Sequence, residues 1–133
     1  MSVADAFYRK RSSNLHGRKI IILDDIPAIA DLFRRALELS GLEVTFVANS
    51  GEDLLDRLLK SDAKKVDFAL VDYNLKEGRM NGLQVALAIL KKNPGIKVIM
   101  VSADDSIANG AASFGFHFLK KPVALSELLE ALE

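Results

Sequence analysis

The sequence predicts an α/β domain with a five-stranded parallel sheet, and three observations lead to that prediction. Short apolar runs alternate with longer stretches in which apolar residues recur at three- and four-residue spacing. The run from Lys19 to Leu23 is mostly Ile and Leu, which is typical of a strand covered on both faces. Five strand and helix pairs fit between residues 19 and 133, with no internal repeat among them.

The first strand and helix pair has the clearest boundaries. Its strand ends in Asp24-Asp25, and Pro27 suits the first turn of the helix that follows. Helical spacing then continues until Gly41, which favours the end of a helix. The apolar positions of this helix are Ile29, Leu32, Phe33, Ala36 and Leu37.

The other four pairs are predicted from the same patterns. Strands are expected at residues 44–47, 68–72, 97–102 and 116–119, and helices at 50–59, 83–90, 104–114 and 125–132. Ser50 and Asp53 resemble a capping box, and Asn81 is a candidate cap for the third helix. The fourth helix is the weakest because Gly110 interrupts it.

Length and composition limit the classes of protein that fit. The 133 residues suit one domain, and 18 Lys and Arg balance 18 Asp and Glu, so the charge does not indicate nucleic-acid or anionic-membrane binding. The absence of Cys excludes a disulfide framework and a thiolate metal site. No apolar string is long enough to cross a bilayer, so a soluble, cytoplasmic protein is expected.

The amino-terminal residues differ from the rest of the chain. Residues 1–18 are polar, basic and without sustained periodicity, which predicts a tail or linker. The folded domain is therefore expected at residues 19–133.

Polar residues follow four of the five predicted strands. Because parallel strands place their carboxyl ends at one edge of the sheet, residues that are distant in sequence are expected to meet there. The residues at those positions are Asp24, Asp25, Asp72, Ser102 and Lys121.

The chemistry of this cluster indicates a divalent cation. Two carboxylates about 4 Å apart repel by ~1 kcal/mol in water and ~4 kcal/mol at an effective dielectric near 20. Oxygen ligands without His or Cys suit a hard cation, and a site completed by water suits Mg²⁺ better than Ca²⁺. Lys121 can pair with Asp72, whose carboxylate can attack phosphorus.

Each of these residues alone is weak evidence for a site. An acidic pair after a strand is more often a loop or helix feature, and Ser102 alone suits a turn. The coincidence at four strand ends is what favours a functional site. Phe114 and Phe116 are expected to pack, and His16 and His117 are not expected to be catalytic.

Taken together, these residues resemble the receiver domain of response regulators in two-component signalling, over residues 19–133. The family's acidic pair falls on Asp24 and Asp25, and its phosphoacceptor falls on Asp72. Its hydroxyl residue, its switch aromatic and its lysine before proline fall on Ser102, Phe118 and Lys121. The resemblance implies a flavodoxin-like three-layer sandwich with strand order 2-1-3-4-5.

The resemblance also implies the roles of the metal site. Asp25, Asp72 and the backbone carbonyl of Asn74 would bind Mg²⁺, or Mn²⁺ as an alternative, and Asp24 would act mostly through water. Asp72 would take a phosphoryl group from the phosphohistidine of a sensor histidine kinase or phosphotransfer protein. Lys121 would stabilise the transition state.

A conformational switch is implied as well. Ser102 would bond the phosphoryl group, and Phe118 would rotate into the space that Ser102 leaves. The face formed by the fourth helix, fifth strand and fifth helix would then signal to a downstream protein target or fused effector. The domain would catalyse only its own phosphorylation and dephosphorylation, as a monomer or a phosphorylation-dependent homodimer, without contacting nucleic acid or membrane.

The sequence departs from the family pattern in the loop at residues 75–81. Lys76 replaces a common proline, and the glycine that opens the third helix, Gly82, comes two residues later than usual. Lys76, Glu77 and Arg79 are therefore expected to affect access, phosphoryl lifetime or partner choice. Ala124 replaces a common capping residue, so the last helix is expected to fray.

Three alternatives remain at the level of sequence. One is an interaction module of the same fold that works without phosphorylation. Another is a phosphatase of the haloacid dehalogenase kind, although such enzymes have a second Asp where this chain has Asn74. A dinucleotide-binding role is least supported, because no Gly-x-Gly-x-x-Gly follows the first strand.

Overall fold

The computed structural model describes residues 14–60, 65–76 and 78–133, and it shows a parallel sheet between two layers of helices. The strands are β1 (Lys19–Leu23), β2 (Glu43–Ala48), β3 (Phe68–Asp72), β4 (Lys97–Ser102) and β5 (His117–Lys120). The helices are α1 (Pro27–Leu39), α2 (Gly51–Lys60), α3 (Gly82–Lys92), α4 (Ala108–Ser113) and α5 (Leu125–Leu132). The strand order β2-β1-β3-β4-β5 confirms the predicted fold class.

The two faces of the sheet form two apolar clusters. Alternate residues of β1 point to opposite faces, so Ile21 packs with residues of α2 and α3 while Ile22 packs with residues of α1 and α5. All five residues of β3 are buried. Helices cover both faces, and ligands of such parallel α/β sheets bind outside the carboxyl ends of the strands.

The fourth helix is shorter than predicted. Residues Asp105–Ile107 form a 3₁₀ turn, which begins where the Asp104 carboxylate accepts a hydrogen bond from the Ser106 N–H at 2.9 Å. Helix α4 then spans only six residues, and Gly115, with φ of 81°, follows its end. Gly110 lies within it, where a glycine costs about 1 kcal/mol relative to alanine.

The predicted helix caps are present in part. The Ser50 hydroxyl accepts a hydrogen bond from the Asp53 N–H at 3.1 Å, as expected for a helix start. Asn81 forms a complete capping box with Gln84. Ala124 provides no side-chain cap to α5, because its methyl group has no hydrogen-bond acceptor. No helix among the described residues is long and apolar enough to cross a membrane.

The chain just before β1 packs against the fold. Leu15 is only 1% exposed and belongs to the cluster formed with α1 and α5. The Gly17 N–H donates a hydrogen bond to the Gly41 carbonyl at 2.8 Å, and the Arg18 guanidinium lies 5.0 Å from the centre of the Phe68 ring. The packed structure therefore includes residues ahead of Lys19. Residues 1–13 of the predicted tail lie outside the described residues.

Candidate functional site

The carboxyl edge of the sheet brings together the acidic residues predicted from sequence. Asp24 and Asp25 directly follow β1, and Asp72 is the last residue of β3. One carboxylate oxygen from each of the three lies within 4.8 Å of the other two. The sheet order explains this proximity, because β1 and β3 are hydrogen-bonded neighbours.

Lys121 provides the positive charge nearest to Asp72. It follows β5, and its Nζ lies 3.2 Å from Asp72 Oδ1 and 3.9 Å from Asp24 Oδ2. The peptide bond between Lys121 and Pro122 is cis. The lysine side chain is 26% exposed, so the ammonium group faces both the carboxylates and the solvent.

Burial makes two carboxylates of this cluster, those of Asp24 and Asp72, costly to ionise. Asp24 and Asp72 are each 3% exposed. Desolvation raises the pKa of Asp72, and the nearby Lys121 ammonium opposes this increase without cancelling it. Desolvation also raises the pKa of Asp24, against the lowering effect of the hydrogen bond from the Ile26 N–H. A bound cation would stabilise both ionised carboxylates.

Backbone amides orient each of the three carboxylates. The Ile26 N–H donates to Asp24 Oδ1 at 2.9 Å, and the Asn74 N–H donates to Asp72 Oδ1 at 3.3 Å. A short hydrogen bond runs from the Lys76 N–H to Asp25 Oδ2. The loop after β3 therefore contacts two of the three acidic residues through its main chain.

Ser102 lies at the same edge, at the end of β4, and is fully buried. Its hydroxyl oxygen accepts hydrogen bonds from the Asp104 N–H at 3.0 Å and from the side-chain amide of Asn74 at 3.3 Å. Phe118, on β5, is half-buried against the cluster that contains α2 and α3. Asn74 thus joins the surroundings of Asp72 to those of Ser102.

Gly82 supports the site through its small size. A Cβ at this position would lie 2.4 Å from the Asp72 carbonyl oxygen and 2.5 Å from the Tyr73 Cα. The Gly82 N–H also donates to the Tyr73 carbonyl at 3.0 Å. The sequence indicates that this glycine opens the helix, but no sequence pattern predicts its contact with the main chain of the candidate acceptor.

The donor set fits a hard divalent cation. Three carboxylates with free oxygen lone pairs converge, and no His or Cys is available at this edge among the described residues. Carboxylate, carbonyl and water oxygens are the ligands that Mg²⁺ takes in proteins. The arrangement can therefore hold a cation beside a buried carboxylate that has a lysine ammonium within hydrogen-bond distance.

Comparison with known protein families decides the class to which this site belongs. The model of the response regulator receiver domain matches residues 20–133. This chain belongs to the response regulator receiver domain family. The five site positions predicted a receiver domain of two-component signalling, and this prediction is confirmed.

Known relatives agree with this assignment. The chemotaxis protein CheY of Listeria monocytogenes is 33% identical over 122 residues, which cover 86% of this chain and 95% of that protein. A CheY-like receiver domain from Methanospirillum hungatei is 31% identical, with a TM-score of 0.74 over 86% of this chain and 89% of that one. The response regulator TrrA of Thermotoga maritima, crystallised in complex with Mg²⁺ and BeF, is 26% identical, with a TM-score of 0.73 over 85% and 94% of the two chains.

Proposed function

We propose that this receiver domain is a phosphoacceptor switch in which Asp72 receives the phosphoryl group in a Mg²⁺-dependent reaction. The observation that supports this most is the position of Asp72, a buried carboxylate among two other aspartates and 3.2 Å from the Lys121 ammonium. The charged groups around this carboxylate would favour its attack on phosphorus, and the Lys121 ammonium would stabilise the aspartyl phosphate that forms.

The transfer would proceed by in-line displacement at phosphorus. An Asp72 carboxylate oxygen forms a bond to phosphorus while the bond from phosphorus to the imidazole nitrogen of a phosphohistidine breaks. The electron pair of that bond stays on the nitrogen, so a phosphoimidazole that carries a proton on its other ring nitrogen leaves as neutral imidazole. Lys121 is close enough to Asp72 to neutralise charge on a phosphoryl oxygen during the transfer.

The other acidic residues would complete the site. Asp25, Asp72 and the carbonyl of Asn74 would hold Mg²⁺ directly, with Asp24 acting through water, and the cation would supply charge neutralisation at the phosphoryl oxygens. Within the chain, the Ile26 and Asn74 amides orient Asp24 and Asp72. The burial of Asp72 limits the access of bulk water to its carboxylate.

The signal would pass from Ser102, at the end of β4, to the neighbouring strand β5. The Ser102 hydroxyl oxygen now accepts hydrogen bonds from two N–H groups, and its own O–H would donate to a phosphoryl oxygen, so Ser102 would turn toward the phosphoryl group. Phe118 on β5 would then rotate, and the face formed by α4, β5 and α5 would change its shape for a partner. The expected partners are a histidine kinase or phosphotransfer protein and a downstream target.

A phosphodonor assay tests this function. The protein is incubated with a small phosphodonor and Mg²⁺, and intact-mass spectrometry measures the adduct. We expect one phosphoryl group per chain, loss of the adduct in EDTA, and no adduct on Asp72→Asn. An adduct of equal yield on Asp72→Asn would contradict the proposal, and unchanged partner binding by that variant would favour a phosphorylation-independent interaction module.

A further inference from the structure

The loop between β3 and α3 is attached to α2 through the side chain of Glu52. Glu52 lies in the first turn of α2, and both of its carboxylate oxygens accept a hydrogen bond from the Arg79 N–H, at 3.3 Å for Oε1 and 3.0 Å for Oε2. Because the acceptor is a carboxylate, this contact is stronger than a neutral hydrogen bond. The donor belongs to the main chain, so the contact does not depend on the Arg79 side chain.

Gly78 fits against the same carboxylate. Its φ is 78°, a conformation that L side chains rarely adopt. A Cβ at Gly78 would lie 2.5 Å from Glu52 Oε2 and 2.9 Å from Oε1. The left-handed turn at Gly78 and the amide of the next residue therefore form one binding surface for the Glu52 side chain.

This attachment bears on the candidate site because the same loop supplies its amides. The Asn74 N–H donates to Asp72 and the Asn74 side chain to Ser102, while the Lys76 N–H donates to Asp25. At its other end the loop is held where Gly82 meets the main chain of Asp72. Ordering the loop between β3 and α3 costs conformational entropy, which the contacts that hold it must overcome.

We propose that Glu52 is a positioning residue for the phosphorylation site. By holding the Arg79 amide, it keeps the loop in place so that the Asn74 and Lys76 amides remain at Asp72 and Asp25. Glu52 contacts no reacting atom and acts only through the loop. The inference rests on the proposed function, because it names a support for that same site.

The test compares variants that remove different parts of the contact. Glu52→Ala removes the acceptor, Glu52→Gln keeps one carbonyl oxygen that can accept from Arg79, and Gly78→Ala places a methyl group where the carboxylate lies. Asp53→Asn is the matched charge control, since Asp53 neighbours Glu52 but pairs with Arg57. Arg79→Ala is the second control, because it leaves the main-chain donor intact.

Calorimetric titration of the unphosphorylated protein with Mg²⁺ provides the readout, together with the melting temperature of the metal-free protein. We expect Glu52→Ala and Gly78→Ala to lower Mg²⁺ affinity roughly tenfold, the scale of losses seen when groups that orient metal ligands are removed. Glu52→Gln should recover part of the affinity. Asp53→Asn and Arg79→Ala should match the wild type.

Two results would overturn the inference. One is wild-type Mg²⁺ affinity in Glu52→Ala, and the other is an equal loss in Asp53→Asn, which would assign the effect to net charge. If Glu52→Ala fails to fold, hydrogen exchange at the Arg79 amide in Glu52→Gln decides the point. A neutral amide accepts a weaker hydrogen bond than a carboxylate, so exchange faster than in the wild type is expected, and exchange at the wild-type rate would overturn the inference. A wild-type protein that forms no Asp72 adduct would defeat the proposed function instead, and the exchange measurement would still report whether Glu52 holds the loop.

Discussion

Single residues at the carboxyl edge show how closely chemistry and packing are linked in this receiver domain. Asp24 and Asp72 are polar groups buried among apolar strands, and their raised pKa values record the cost of ionising them without a cation. Gly82 is the opposite case, since its lack of a side chain allows α3 to approach the main chain at Asp72. The two carboxylates therefore need a nearby positive charge, and the start of α3 beside Asp72 needs a residue without a side chain.

The buried carboxylates predict a pH dependence of stability in the metal-free protein. Because the folded-state pKa of Asp24 lies above its ordinary value of 3.8, the folded state binds more protons than the unfolded state just above that pH. Ionised Asp24 should therefore reduce stability as pH rises. We expect urea unfolding to show that the gain in stability from Asp24→Asn grows from pH 4 to pH 7.

The exposed Asp56→Asn variant is the control for that experiment. Asp56 pairs with Lys60 on the surface of α2, where ion pairs contribute little. Asp56→Asn should therefore change the free energy of unfolding only slightly at either pH. A pH-independent effect of Asp24→Asn would contradict the burial argument.

Gly82→Ala should destabilise the protein and disturb the acceptor. The new methyl group would meet main-chain atoms of Asp72 and Tyr73, which cannot turn aside as a flexible side chain can. We expect a loss of about 1–3 kcal/mol in the free energy of unfolding, as for other overpacked sites. Urea unfolding measures this loss, and the phosphodonor assay should show slower labelling of Asp72.

Gly110→Ala is the matched control for Gly82→Ala. A Cβ at Gly110 has no atom within 4 Å, and the residue lies inside α4. Replacing a helical glycine with alanine should be neutral or stabilise by about 0.5–1 kcal/mol. Equal effects of the two substitutions would show that close approach at Gly82 does not matter.

At the scale of elements, local sequence patterns predicted the strands and some of the helix starts. The apolar runs identified all five strands, and Pro27 and Asn81 marked the starts of α1 and α3. The α4 region was only partly predicted, because the short 3₁₀ turn at residues 105–107 has no periodicity of its own. The hydrogen bond between Glu52 and Arg79 joins residues 27 positions apart, so no local pattern could reveal it.

The packing of the segment before β1 predicts that a substitution at Leu15 lowers the stability of the protein. Leu15 is buried in the cluster formed with α1 and α5, although the sequence around it looks like a polar tail. Leu15→Ala should therefore cost about 2–5 kcal/mol, as for other buried leucines. Denaturant unfolding measures the loss. Leu39→Ala is the control, since Leu39 is 84% exposed and its removal should have little effect.

At the scale of the whole molecule, the candidate acceptor Asp72 on β3 lies two strands away from β5, which forms part of the surface that would signal. Asp72 and Ser102 end adjacent strands, and β5 lies beside β4 at the edge of the sheet. An exposed ion pair of 2.9 Å joins Lys120 of β5 to Asp105 in the turn before α4. A rearrangement that begins at Ser102 can therefore reach α4 and β5 through neighbouring main chain.

The most direct test of this account is to locate the phosphoryl group on the chain. Fragmentation mass spectrometry of the protein labelled by a small phosphodonor in Mg²⁺ assigns the modified residue. We predict that the group is on Asp72 and that Lys121→Ala greatly reduces the labelling rate. Modification at another residue, with Asp72 unmodified, would contradict the central claim that this edge of the sheet positions Asp72 to accept phosphorus.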